Sequence, residues 1–202
     1  MSRNKRLNLA VVLLAGIAFC ASASAQTSVG VSLYGAFSGT TTGNNVQESP
    51  SNSAGGLIEL RHISNPVFGY EATYSYNRAN TAYRCNGTSC PILAPATVSA
   101  NAHELTVDWV PSVHVGNLRP FGVLGVGLLL NEPTGSQANT SSSARGVYVY
   151  GAGLDWGLLP HLGLRFQYRG NLYKSPDLSK LYKSTNAFRH TAEPMVGAYV
   201  SF

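Results

Sequence analysis

The sequence is short of charge. Asp, Glu, Lys and Arg together make up 11% of its 202 residues, less than half the usual share of a soluble domain. Beyond residue 25 no run of about 18 apolar residues occurs, which excludes a membrane-spanning helix there. No phosphate-binding loop, dinucleotide fingerprint or metal-spaced His/Cys cluster is found, so neither a cofactor nor a metal is expected. The formal net charge is +5, but Arg3, Lys5 and Arg6 supply three of those charges and leave +2 on the remainder. No basic stripe follows them, so a nucleic-acid partner is not expected.

The first 25 residues read as a secretory signal peptide. Arg3, Lys5 and Arg6 form a charged start, Leu7 to Cys20 an apolar stretch, and Ala23-Ser24-Ala25 a small-residue cleavage site. The mature chain is then one domain, residues 26–202. Cys20 admits a lipoprotein reading, but Phe19 stands before it where a small residue is wanted. Of the three cysteines only Cys85 and Cys90 remain. An even pair in an exported chain suggests a disulfide pinning a loop, and four metal ligands are not at hand.

What the chain does have is period-two alternation, repeated eight times. Successive side chains of a strand point to opposite faces, so alternation marks one apolar and one polar face. Phe68, Tyr70, Ala72, Tyr74 and Tyr76 alternate with Gly69, Glu71, Thr73, Ser75 and Asn77. Similar runs cover about 28–38, 55–62, 99–110, 145–156, 162–169 and 194–202. The run from Pro120 to Leu130 is nearly all apolar and Gly, and Leu124, Val126, Leu128 and Leu130 are assigned outward. Connections alternate between short (62–66, 111–118, 157–161) and long (39–54, 78–98, 131–144, 170–191). That asymmetry fits short periplasmic turns and long external loops.

Alternation alone does not tell inside from outside, and a soluble lipocalin-like barrel would carry the same pattern reversed. Aromatic residues toward strand ends, sparse strand charges of mixed sign and a terminal Phe202 favour the membrane arrangement. The expected fold is an all-β, eight-stranded antiparallel up-and-down transmembrane β-barrel.

The ending Val196-Gly197-Ala198-Tyr199-Val200-Ser201-Phe202 resembles the C-terminal signal of outer-membrane proteins. Gly151-Ala152-Gly153-Leu154-Asp155-Trp156, then Leu159-Pro160-His161, then Leu164-Arg165-Phe166-Gln167-Tyr168-Arg169 resemble the glycine-rich strand, turn and Arg/Tyr strand of OmpA-like and opacity-type small barrels. The resemblance implies an outer-membrane location in a two-membrane bacterium. It also implies recognition of Phe202 by the barrel assembly machinery and contact with outer-membrane lipid and lipopolysaccharide. No peptidoglycan-binding domain follows, so cell-wall tethering is not implied. A monomer is the expected state.

The strand phases place Glu59, Arg61, Glu71, Glu104, Asp108, Arg145, Asp155, Arg165 and Arg169 in the lumen. Unpaired charges there would cost several kcal/mol, so Arg–carboxylate bridges are expected. In the last long loop Lys174, Lys180, Lys183 and Arg189 could meet lipopolysaccharide phosphates. The other long loops, rich in Ser, Thr, Asn and Gly, read as mobile surface. The first functional reading is a non-catalytic structural or surface-interaction protein acting through its loops. The alternative is a narrow gated porin with a charged lumen, and the third is a lipid A-modifying enzyme. Against catalysis, His103-Glu104 and the pair His190 and Glu193 are the only local His–acid neighbours. Adjacent residues of a strand face opposite ways, so His103 and Glu104 cannot meet.

Overall fold

The computed structural model describes residues 26–86, 96–134 and 139–202, and every regular element among them is a strand. The predicted leader lies outside these residues. In chain order the strands are β1 (Gln26–Ser38), β2 (Thr41–Gly43), β3 (Val46–Pro50), β4 (Ser53–Ile63), β5 (Gly69–Cys85), β6 (Ala96–Trp109), β7 (Leu118–Pro133), β8 (Ser143–Leu159), β9 (Leu162–Lys174) and β10 (Phe188–Ser201). Leaving aside β2 and β3, each strand pairs antiparallel with the next. β10 then pairs with β1, closing an eight-stranded up-and-down barrel without a free edge. At the seam Thr27 and Phe202 exchange backbone hydrogen bonds of 3.2 and 2.9 Å.

Exposure fixes which face is outside. Leu33 is 69% and Leu128 65% exposed, whereas Arg61, Arg165 and Arg169 are at 1% or less. A soluble barrel would show the reverse. The run from 120 to 130 faces as expected, with Leu124, Val126, Leu128 and Leu130 outward. The outward row changes character along each strand: above Tyr74 and Tyr76 stand Arg78 and Asn80 on β5, above Leu130 stands Glu132 on β7, and above Leu172 stands Lys174 on β9. That change marks the outer edge of the apolar band.

The strands do not stop there. β5 runs to Cys85 and β6 begins at Ala96, where the sequence pattern places a loop from 78 to 98. From Arg78 to Cys85, β5 rises roughly 20 Å beyond the band, at about 3.3 Å per residue less the tilt. β9 runs on to Lys174, and β10 begins at Phe188 and not at Pro194. The alternation fades at these ends because water wets the outer face, so the residues there need not be apolar. The first long loop holds the β2–β3 hairpin. Asn44 and Asn45 take φ of 52° and 62°, the left-handed pair that a two-residue hairpin turn requires. β3 pairs with Thr81–Cys85 of β5, directly beyond the stretch that β4 covers, so the hairpin lengthens the wall.

Glycine makes room inside the barrel. A Cβ on Gly125 would collide with the Asp108 carboxylate, and one on Gly30 with that of Glu59.

Candidate functional site

The lumen is filled at mid-height by one connected set of buried charges. The inward phase of β4, β5, β6, β8 and β9 delivers Glu59 and Arg61, Glu71, Glu104 and Asp108, Asp155, and Arg165 and Arg169. Arg165 grips Asp155 through two bonds, Nε to Oδ1 at 2.6 Å and Nη2 to Oδ2 at 2.8 Å, the paired geometry that a planar guanidinium favours. Its Nη1 donates to Glu59. Arg61 donates from Nε to Glu71 at 2.6 Å and from Nη1 to Asp155 at 3.3 Å. Its guanidinium lies 4.0 Å from the centre of the Phe121 ring, a cation–π contact. Arg169 donates to Asp108 and to Thr106, both at 3.1 Å, and lies 3.5 Å from Glu104. Eight of the nine residues assigned to the lumen from sequence thus meet in one network. Arg145 stands apart: it is half-buried near the outer mouth, where its Nε donates to the Ser175 carbonyl at 3.3 Å.

Two residues of this interior escape the sequence reading. Asn171 donates to Glu104 at 3.0 Å, and Glu193 is 5% exposed on the same inner face. Glu193 is in phase with Met195, Gly197 and Tyr199, so extending the alternation through Pro194 would have found it.

The network separates two spaces. On the periplasmic side an open vestibule of about 400 Å³ is lined by His114, Asn117, Arg119, Asp155 and Tyr199. On the outer side lies a narrow chamber of about 50 Å³, with Tyr34, Ser75, Glu104, Asn131, Asn171 and Glu193 on its walls.

The chamber is roofed by the segment between β9 and β10, which falls in the last long external loop expected from the sequence. Ser175, Leu178, Ser179, Tyr182 and Thr185 of that segment are all buried. Leu178 and Tyr182 pack with Val46, Tyr83, Val98 and Ala100, and the Tyr182 and Tyr83 rings stack with centroids 5.6 Å apart. The Leu178 amide donates to the Tyr83 hydroxyl at 3.3 Å. Backbone bonds join the segment to the β7–β8 connection at Lys180–Asn139, 2.8 Å, and Ser141–Leu178, 3.1 Å. Asn44 of the hairpin reaches the Ser184 carbonyl at 2.8 Å. The segment is a cap, because its apolar residues find a pocket between the extended ends of β3, β5 and β6.

Arg189 corrects one expectation. It is not a surface cation for lipopolysaccharide: it is 3% exposed and donates to Glu48 Oε2 at 3.0 Å and to Thr41 at 3.3 Å. The inward phase of β10 forces this placement. Burial pushes the Glu48 carboxyl above its ordinary range, and the Arg189 charge opposes that shift. Burial likewise raises the Tyr83 phenol. Lys174, Lys180 and Lys183 are exposed, as expected. Cys85 is disulfide-bonded, while Cys90 lies outside the described residues.

The His–acid neighbours do not form pairs. His103 bonds outward to the Tyr74 hydroxyl at 2.8 Å and His190 to that of Tyr150 at 2.9 Å, while Glu104 and Glu193 point inward. Phe202 is 72% exposed on the outer face, with Val200 and Val196.

Comparison with known proteins agrees with this architecture. Ail of Yersinia pestis, in complex with the heparin analogue sucrose octasulfate, aligns with a TM-score of 0.55 at 15% identity, over 89% of this chain and 99% of its own. Neisserial surface protein A aligns at 0.58 and 12%, over 89% and 99%. The outer-membrane protein OprG of Pseudomonas aeruginosa aligns at 0.57 and 10%, over 89% and 97%. At these identities the likeness is one of fold. No curated protein sequence matches the chain. The family described as the outer membrane protein beta-barrel domain matches residues 11–191, and the chain belongs to it: a small barrel of the bacterial outer membrane.

Proposed function

We propose that the protein is a non-catalytic surface protein whose closed barrel anchors a rigid cationic cap for anionic partners. The observation that carries this reading is the separation of charge. Beyond the apolar band Arg78, Arg84, Arg145, Lys174, Lys180 and Lys183 face two carboxylates, Glu132 and Asp177. Inside, six carboxylates (Glu59, Glu71, Glu104, Asp108, Asp155 and Glu193) face three arginines. With Arg189 spent on Glu48 and Arg119 at the periplasmic vestibule, the excess positive charge is concentrated outside. Each cation near an anionic surface is worth about 1 kcal/mol, enough for Lys174, Lys180 and Lys183 to hold lipopolysaccharide phosphates. Sulfated saccharides offer the same chemistry, and Ail was solved with one bound. Phe202 serves as the signal to the assembly machinery, and Cys85 and Cys90 pin the second external loop. The barrel acts as a monomer.

Binding of the refolded barrel to lipopolysaccharide, with and without its phosphates, tests this reading. Changing Lys174, Lys180 and Lys183 together to Gln is expected to weaken binding to the phosphorylated form and to flatten its salt dependence. Equal binding to both forms by both proteins contradicts it.

A second reading is a narrow gated pore. It is favoured by the two spaces, which one layer of ion pairs divides. Steady conductance of the parent barrel, altered in size or ion preference on replacing Arg165 or Arg169, would support it; a silent parent barrel, or currents unaltered in both variants, would count against it.

A further inference from the structure

The interior has more carboxylates than guanidiniums, and the surplus is concentrated in the outer chamber. Arg61 and Arg165 are committed to Glu59, Glu71 and Asp155. Arg169 serves Asp108 and reaches Glu104 only at 3.5 Å. Glu193 makes no ion pair among the described residues, although it lies close enough to Glu104 for the two charges to oppose one another. Two buried carboxylates near one another, without a full complement of cations, are unstable unless something positive joins them.

The same walls hold polar atoms without partners. Oε2 of Glu193 and Oδ1 of Asn171 are buried and accept no hydrogen bond. Glu193 is 5% and Asn171 1% exposed, and both line the chamber. These two atoms are acceptors, and the Tyr34 and Ser75 hydroxyls lie on the same wall, while two donors without partners, Asn131 Nδ2 and Arg189 Nε, border the chamber elsewhere. The Arg189 charge is held by Glu48, to which its Nη2 donates along with Thr41, leaving Nε free. A space of about 50 Å³ admits an ion with a few waters and nothing larger, since one water needs about 10–15 Å³ on this measure.

We propose that the outer chamber is a binding site for one hard cation, of the calcium type, held through oxygens of Glu104, Glu193 and Asn171 beneath the cap. Hard cations take oxygen ligands from carboxylates and amide carbonyls, with water completing the shell. Asn171 is the bridging residue: its Nδ2 holds Glu104 in place while its Oδ1 is left for the ion. The cap covers the chamber through Pro176 and Leu178, so the ion sits between the cap and the ion-pair layer. The site is independent of the surface role proposed above, because no external cation takes part in it.

The test is equilibrium dialysis of calcium against the refolded barrel in zwitterionic vesicles free of lipopolysaccharide. The expected result is about one ion per barrel, with affinity reduced about tenfold or more in Glu193→Gln and in Asn171→Leu. Glu132→Gln, at an exposed external acid, is expected to bind as the parent does. If Glu193→Gln does not refold, Asn171→Leu decides. Absence of calcium binding by the parent barrel overturns the proposal, and so does acid stabilisation without any calcium effect, which would put a proton in the ion's place. Undiminished binding in both chamber variants, or binding lost only in Glu132→Gln, overturns it too by placing the ion elsewhere.

Discussion

Glu48 of the external hairpin and Arg189 of the last strand form a buried ion pair, 3.0 Å from Oε2 to Nη2 and 141 residues apart in the chain. The pair ties the first external loop to the base of the last, and Thr185 of the cap donates its amide to the same carboxylate. Replacing Arg189 by Met leaves that carboxylate buried without its cation, a change that typically costs about 3–5 kcal/mol. The loss is expected to appear as faster hydrogen exchange of residues 175–187. Its pH dependence has a definite sign. Burial holds the Glu48 pKa above the ordinary 4.5, so the folded cap binds the proton more tightly than the open one does. Stability is then regained as pH falls toward that ordinary value and lost as pH rises through the raised one. Protection factors across residues 175–187 in Arg189→Met, with the intrinsic exchange rate divided out, are therefore expected to rise as pH falls toward that ordinary value. An acid-induced opening would contradict this.

The barrel itself was legible in the sequence because a lipid-facing row and a lumen-facing row impose period two. Where that pressure acts, from Tyr70 to Tyr76 or Leu162 to Arg169, every side chain faces as expected. Beyond the apolar band both faces can be polar, and the period disappears although the strands continue. β5 past Asn77 and β10 before Pro194 were lost for this reason. The hairpin did leave a trace, in Asn44-Asn45. The cap left none, since burial of Leu178 and Tyr182 depends on Val46, Tyr83 and Val98, which only the closed barrel brings together.

The cap is anchored by a small apolar cluster. Leu178 is 1% exposed, and Leu178→Ala is expected to cost about 2–5 kcal/mol of local stability. Protease cleavage within 175–187 should then accelerate while the thermal midpoint of the whole barrel stays nearly unchanged. A large fall in the midpoint would show that the cap and barrel unfold as one unit.

Two glycines give a paired test of lumen packing. A Cβ on Gly125 meets Asp108 and the Val107 carbonyl, whereas one on Gly146 meets nothing within 4 Å. Gly125→Ala is expected to lose about 1–3 kcal/mol, as overpacked interiors do. Gly146→Ala should be neutral. Urea unfolding of both variants in vesicles reads the difference; equal midpoints would mean that the Asp108 carboxylate moves aside without cost.

Closure of the barrel is the central claim: a mid-height layer joins Arg61, Arg165 and Arg169 to their carboxylates, and the cap seals the outer mouth. Single-channel recording of the refolded barrel in a planar bilayer tests it most directly. A folded, silent barrel is the expected result, with openings appearing only when Arg165 or Arg169 is replaced. Steady, discrete openings of the parent barrel would contradict closure and establish the pore.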